Sequence, residues 1–381
     1  MEYKRLGDIA TYINGYAFKP EQWSNKGKPI IRIQNLNNKD AEYNYFDGEI
    51  DEKYLIKKGD VLISWSASIG IYEWDLEDAY LNQHIFKVVF EKEEIDKKYF
   101  KFMVDIALNK AVKYMHGSTM KHITKKYFDN ILVPVPSLDK QKKIAEVLDK
   151  AQSLIDKKKE QIELLDELVK SRFVEMFGDV LTSNKFGESI LKEVADITSS
   201  KRIYANEYVE NGIPFYRSKE IRELGENLKP SIELFISEEK YNLIKEKYEI
   251  PKKGDILIAA IGATIGYTWI VNTDEPFYYK DGNLLNISVN KNMNPIYLNH
   301  VLKILINNFK YREASGSAQL ALTIDKVGKM EIPVPPIELQ NEFAEFVTQI
   351  DSIRSKMEAS LSELENNFNS LMQKAFKGEL F

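Results

Sequence analysis

The sequence predicts an α+β protein: two similar mixed α/β domains joined by two long antiparallel coiled-coil helices and related by an approximate two-fold axis. Three observations carry this expectation. The chain repeats itself from end to end, each copy carries short apolar runs bounded by turn residues, and each copy is followed by a heptad seam.

The repeat is visible in "KKGDVLIS" at 57–64 and "KKGDILIA" at 252–259. It widens in "HGSTMKHITKKYFDNILVPVPSLDKQKKIAEVL" (116–148), which aligns without gaps on "SGSAQLALTIDKVGKMEIPVPPIELQNEFAEFV" (315–347). That alignment pairs Thr124 with Thr323, Pro134 with Pro333 and Gln141 with Gln340 at a constant offset, 333 − 134 = 199. Earlier, "KGKPIIRIQNL" (26–36) answers "NGIPFYRSKEI" (211–221), so Arg32 matches Arg217. Two copies make a duplication, because stacked arrays need at least about three units to build a continuous core.

Within each copy the signals are mainly β. "DVLISWSASIGIYEW" and "DILIAAIGATIGYTWIV" each follow a Lys-Lys-Gly-Asp turn, and "HIFKVVF" and "LLNISV" read as further short strands. One amphipathic helix per copy is expected in "DKKYFKFMVDIALNKAVKYM" and "NPIYLNHVLKILINNFKYR", opened by Asp96 and Asn294 as caps.

After each "VPVP" or "IPVP" the period changes to a heptad. The first seam runs through Ile144, Leu148, Ala151, Ile155, Ile162, Leu165, Val169 and Met176, with Lys158 and Arg172 as polar interruptions. The second runs through Phe343, Val347, Ile350, Met357, Leu361, Leu364, Phe368, Leu371 and Ala375, interrupted at Arg354. Helix stops are expected at Gly178 and Gly378. A pair of amphipathic surface helices is the plainer alternative, but about 40 residues each is several times the usual helix length. The first helix carries the chain from one domain to the other, so the second can share its seam only by running back. The expected division is 1–136, first domain; 137–178, first helix; 179–335, second domain; 336–381, second helix.

Composition excludes more than it identifies. The 381 residues are 44% hydrophobic, enough for two ordinary cores, and contain no cysteine, which removes disulfides, thiolate chemistry and cysteine-based zinc sites. The four histidines, His84, His116, His122 and His300, stand at no metal-ligand spacing, so no metal is expected. Without a signal-type start or an apolar run of about 18 residues, a cytoplasmic location and no membrane are expected. "GATIG" at 262–266 lacks the lysine and hydroxyl residue of a phosphate-binding loop and reads as a bend. "NPIY" at 294–297 approaches the Asn-Pro-Pro-Tyr box with which amino-methyltransferases hold a base. Its partner at 96–99 is "DKKY", which shares a cap residue and a tyrosine only, so helix capping is the expected role. No catalytic residue is expected.

Two tandem domains, each with a Lys-Gly-Asp-Val/Ile-Leu turn, a Gly-Ser loop, a Val-Pro exit and a glutamine at the start of a long helix, resemble the specificity subunits of type I restriction-modification systems. The resemblance covers essentially the whole chain. It implies two target recognition domains, each reading one half of a bipartite site in double-stranded DNA, with the helices as a conserved spacer. It also implies two modification (methyltransferase) subunits that dock on the helices and bind S-adenosylmethionine, no cofactor on this chain, and endonuclease subunits that can join. A tandem DNA-binding adaptor, or a coiled-coil scaffold for a partner other than a methyltransferase, is the alternative.

The net charge of −5 is unusual for a DNA-binding protein, which ordinarily carries a basic footprint. By segment, residues 1–136 hold 20 Lys+Arg against 20 Asp+Glu, 137–178 hold 9 against 9, 179–335 hold 20 against 21, and 336–381 hold 4 against 8. The excess acid therefore lies mostly in the second helix, and weak DNA binding by the isolated chain is expected. Base-reading candidates are polar residues at loop-like positions, since Arg and Lys suit guanine and Asn and Gln suit adenine. They are Arg32, Gln34, Asn35, Ser66, Ser118 and Lys121 in the first copy, and Arg217, Ser218, Lys219, Ser317 and Gln319 in the second. Two readers of different half-sites should differ where they read, which favours "IQNLNN" (33–38) against "SKEIRE" (218–223) and "STMK" (118–121) against "SAQL" (317–320), and suggests that the matched Arg32 and Arg217 are structural.

Overall fold

Each copy of the repeat is clasped by its own ends. Glu2–Arg5 pairs antiparallel with Leu132–Val135, and Glu188–Ile190 pairs antiparallel with Glu331–Pro333, so the Val-Pro exits are strands that return to the start of their own domain. The computed structural model describes residues 2–114, 123–183, 185–313 and 320–380. By packing, the chain falls into two units, Met1–Glu160 with Glu358–Phe381, and Gln161–Met357.

In the first unit one antiparallel sheet has the order Thr11–Asn14, Ile85–Val89, Val61–Ser64, Gly70–Glu73. In the second unit the order is Ala195–Thr198, Leu284–Val289, Ile256–Ala259, Thr268–Ile270. The repeated apolar run is an inner strand of this sheet, buried on both faces. Val61 and Ile63 enter one core while Leu62 enters another, and Ile256 and Ile258 part from Leu257 and Ala259 in the same alternation. A strand between two cores must be apolar at every position.

A second sheet in each unit is built around a parallel pair, Lys28–Ile31 with Ala79–Leu81 and Ile213–Tyr216 with Tyr278–Tyr279. Here the copies diverge. Asn44–Phe46 and Phe235–Ile236 flank the pair on the same side, but Leu55–Ile56 extends the sheet beyond Ala79–Leu81 only in the first, and Tyr208–Val209 extends it beyond Phe235–Ile236 only in the second. The second unit also contains helices Ser218–Gly225 and Glu238–Lys245, longer than the single turn Ile33–Asn37 of the first and absent from the mainly β expectation. Their few apolar anchors, Ile221, Tyr241 and Ile244, are too short a pattern to show helical periodicity.

The helices Lys97–Tyr114 and Pro295–Glu313 pack on the edge strands Gly70–Glu73 and Thr268–Ile270. The long helices Leu138–Phe177 and Ile337–Lys377 have 40 and 41 residues, about 60 Å each at 1.5 Å per residue. Both end at glycines in the left-handed region, Gly178 at φ +82° and Gly378 at φ +80°. Grouped by packing, the two units part inside both helices. The reason is that the helix ends belong to the cores: Ile144, Ala145, Leu148, Met372, Ala375 and Phe376 join the first, and Phe173, Met176, Phe177 and Phe343 the second.

Candidate nucleic-acid interface and spacer helices

The Lys-Lys-Gly-Asp turn owes its duplication to its aspartate. Gly59 and Gly254 sit at φ +90° and +93°, a conformation that favours glycine. The turn then closes when an Asp60 carboxylate oxygen accepts the Lys57 amide at 2.8 Å and Asp255 accepts that of Lys252 at 3.1 Å. Each aspartate also reaches the neighbouring strand. Asp60 meets Lys87 Nζ at 3.0 Å, while Asp255, 3% exposed, accepts from Asn286 Nδ2 at 3.0 Å and from Ser288 Oγ at 2.7 Å.

A second repeated device joins each domain to its long helix. Gln141 and Gln340 are buried; their carbonyls accept the amides of Asp96 at 2.9 Å and Asn294 at 2.8 Å, and their amides donate to Pro136 and Pro335 at 2.8 Å. Asp96 and Asn294 in turn cap their helices, accepting from Tyr99 N at 2.9 Å and Ile296 N at 2.9 Å. Tyr99 and Tyr297 are wholly buried and donate to the Pro134 and Pro333 carbonyls at 2.8 and 3.1 Å, and burial pushes both phenols up from their ordinary range. The "NPIY" segment is thus a cap and a core anchor; Tyr297 has no face on which a base could stack.

The long helices run antiparallel within each unit. In the first, Lys159 pairs with Glu365 at 2.8 Å while Leu148 shares a core with Met372 and Phe376. In the second, Asp166 pairs with Arg354 at 2.6 Å and Arg172 with Glu342 at 2.9 Å. The seam residues Ile144, Leu148, Ala151, Ile155, Ile162, Leu165, Val169, Phe343, Val347, Ile350, Met357, Leu361, Leu364 and Phe368 are all buried or half-buried. At the end of the first helix the polar interruption falls where the seam meets the domain core. Arg172, on the heptad position, forms ion pairs, and Phe173 is the buried residue, stacking on Tyr297 and meeting Phe343 edge-on. A 3.6-residue helix drifts out of a 3.5-residue repeat, and here the domain core takes over from the seam.

The base-reading candidates are placed unequally. Ser118, Lys121, Ser317 and Gln319 lie outside the described residues. Gln34 is exposed and donates to Glu42 O at 3.3 Å, and Ser66 is half-buried, its carbonyl accepting from Ser64 Oγ at 3.2 Å. Asn35 is overturned as a reader: it is fully buried, accepts the Arg32 amide at 3.1 Å and donates to the carbonyls of Ala41 and Glu42. Ser218 is likewise buried, at 9% exposure.

Arg32 and Arg217 open matching helices, each backbone amide donating to the side chain three residues on: Arg217 N to Glu220 Oε2 at 2.8 Å is the counterpart of Arg32 N to Asn35 Oδ1 at 3.1 Å. Their side chains are engaged as well. Arg32 lies 5.4 Å over the Trp23 ring and bonds Asn44 at 2.9 Å; Arg217 holds the buried Glu220 at 2.8 Å and Glu233 at 2.9 Å. Lys219 also pairs with Glu233, at 2.7 Å. These two cations pull the Glu233 carboxyl down to about 2.

A loop pair that the sequence reading passed over gathers charge in the second unit. Strand pairing sets Ser199–Arg202 beside 280–283: Arg202 Nε bonds Asp281 Oδ2 at 2.8 Å, Gly282 N reaches Ser199 Oγ at 3.5 Å, and Lys201 Nζ lies 4.4 Å over the Tyr248 ring. The counterpart follows from register. Ile13 lies opposite Lys87 and Thr198 opposite Asn286, so 199–202 correspond to Asn14-Gly15-Tyr16-Ala17. There the chemistry is aromatic and tightly packed: Tyr16 contacts the rings of Phe18 and Tyr54, and a Cβ on Gly15 would come within 2.0 Å of Asn82 O. No spacing rule joins residues eighty apart, which is why neither loop stood out.

Among the described residues no group of three or more His, Asp or Glu could hold a metal ion, and no helix is long and apolar enough to cross a membrane. His84 sits at φ +74° beside Trp65, and His300 packs between Phe173 and Phe343, where burial pushes its imidazole down to about 4.

Comparison with known proteins agrees with this duplicated plan. The family model described as type I restriction modification DNA specificity domain matches residues 1–165 and again 184–366. The chain is 24% identical to the type I restriction enzyme EcoBI specificity subunit of Escherichia coli over 98% of this chain and 85% of that one. It is 27% identical to a putative type I restriction enzyme specificity subunit of Haemophilus influenzae, over 95% and 90%. Its fold is similar to the crystal structure of the type I restriction-modification S subunit from M. genitalium, with TM-score 0.56, 16% identity and coverage of 98% and 96%. A chain from a structural study of type I system assembly gives TM-score 0.58 at 19% identity, covering 100% and 98%. With both copies matched across most of its length, the chain belongs to the type I restriction modification DNA specificity family.

Proposed function

We propose that this chain is the non-catalytic DNA-specificity subunit of a type I restriction-modification complex. Each domain reads one half of a bipartite site in double-stranded DNA, and the paired helices set the gap and dock two modification subunits. S-adenosylmethionine is bound by those subunits and methyl transfer is theirs; endonuclease subunits complete the restricting form, and the complex works in the cytoplasm. The observation that carries the reading is the contrast within the duplication. Internal clips are repeated residue for residue, as at Gln141 and Gln340, while the surface loops at matched positions differ in charge. A scaffold copied faithfully with its loops changed is what two readers of different sequences require.

The test is methylome sequencing of the full chain co-expressed with its modification subunits. Replacing residues 1–136 by the matching domain of another family member changes one half of the methylated site and leaves the other half intact. Alteration of both halves overturns independent reading. In a second arm, seven residues are inserted after Lys159 and seven after Glu358, which lengthens both helices by about 10 Å and widens the unread gap by about three base pairs. An unchanged gap in an active variant removes the helices as the ruler.

A further inference from the structure

We propose that Arg202 reads the guanine of a G·C pair within the half-site of the second domain, with Asp281 as its positioning residue. The inference rests on the function proposed above and names a base contact within it. The first ground is geometry. Asp281, itself mostly buried at 17% side-chain exposure, holds Arg202 through Nε alone, and the Arg202 side chain is 67% exposed. The terminal Nη1 and Nη2 point of the fork is therefore left for a ligand, and two parallel donors match the O6 and N7 acceptors that guanine presents in the major groove. A carboxylate that fixes the Nε edge removes rotamer freedom before DNA arrives, so less entropy is lost on contact.

The second ground is that three other arginines of this unit spend terminal nitrogens on carboxylates, while Arg222 lies over the Tyr267 ring with Glu226 at 3.8 Å from its Nε. Arg217 is held by Glu220 and Glu233, Arg172 by Glu175 and Glu342, and Arg354 by Asp166. The third is the copy difference. Ala17 occupies the matching position in the first domain, so a contact made by Arg202 belongs to one half-site only, as two readers of unlike sequences demand. Stability does not account for the arrangement, because exposed ion pairs add little to it. Lys201 precedes the arginine and Lys280 precedes Asp281 in sequence, so the paired loops carry positive charge for phosphate contacts.

The experiment uses the full chain assembled with its modification subunits and reads the methylated motif for wild type, Arg202→Ala, Arg202→Lys and Asp281→Asn. The wild-type half-site of the second domain contains a required G·C pair. Arg202→Ala lowers discrimination at that one position about tenfold or more, the scale of a good bidentate contact, and leaves the other half-site unchanged. Asp281→Asn weakens the same position less, and Arg202→Lys keeps a reduced guanine preference. An unchanged motif in Arg202→Ala overturns the proposal, as does a uniform fall in methylation at all sites, which marks a phosphate contact. If Arg202→Ala does not assemble, Asp281→Asn carries the same readout, and an unchanged motif there overturns the proposal equally. A wild-type complex that methylates no bipartite site overturns the functional reading itself, a result distinct from either.

Discussion

The two domains share their interior fastenings and differ at their surfaces and in a few buried polar sites. Gln141 and Gln340, Tyr99 and Tyr297, and the two Lys-Lys-Gly-Asp turns hold the same backbone positions with nearly the same distances. By contrast, the position of Phe102 in the first domain is held by His300 in the second, and that of Asp105 by Lys303. The loop 14–17 is aromatic where 199–202 is basic. The difference separates what a recognition scaffold must keep, which is the placement of strands and helix starts, from what each copy is free to change.

The largest expected effect tests the shared part. Gln340→Leu leaves the Asn294 amide and the Pro335 and Asn292 carbonyls buried without their partner, and should cost about 3 kcal/mol. Gln141→Leu, which strands the Asp96 amide and the Pro136 carbonyl, should cost within about 1 kcal/mol of the same amount. Urea unfolding of the full chain measures both, and a large cost in only one copy breaks the equivalence.

A smaller and asymmetric effect is expected at the turns. Asp255→Ala leaves the buried Asn286 and the half-buried Ser288 without their acceptor, costing about 2 kcal/mol. Asp60→Ala releases Lys87, which can reach water, and should cost about 1 kcal/mol. Equal losses would show that the burial of Asp255 does not matter to the second turn.

The smallest effect depends on pH. Burial, with Lys303 and Lys170 nearby, holds His300 at about 4, below its ordinary 6.5, so the folded state favours the neutral ring. The stability of the second unit is therefore complete above pH 6.5 and falls as pH drops from 6.5 towards 4, because the unfolded chain takes up the proton first. His300→Phe, which copies the first domain, should flatten the profile by about 1 kcal/mol between pH 7 and 5.5, and by more towards pH 4.5. Thermal unfolding of variant and wild type at pH 7, 5.5 and 4.5 measures it; identical pH profiles would mean that the ring is not held neutral.

Much of the architecture follows from local pattern. The heptad positions of both long helices are set by side-chain period, their ends by Gly178 and Gly378, and the shorter helix starts by Asp96 and Asn294, all interactions within a few residues along the chain. The duplication, with its landmarks in the same order in both halves, supplied the two-domain plan and the antiparallel run of the helices. The recognition surface was far less legible. Asn35 looked like a loop residue until the carbonyls of Ala41 and Glu42 proved to close over it, and the match of Arg217 to Arg32 suggested a structural role without showing its partner Glu233, sixteen residues on.

What the sequence by itself determined about this protein is therefore its periodicity: two copies, two seams, two sets of caps, and the absence of cysteine chemistry. Only the tertiary structure decided which polar groups are spent and which face outward. It put Phe173, next to the polar seam position, into the core, and it brought Arg202 to Asp281 across 79 residues of chain. The physical reason is range. Periodicity and capping act between neighbours in sequence, whereas the partner of a charged or buried polar group is chosen by strand register and packing between distant segments, which no local pattern encodes.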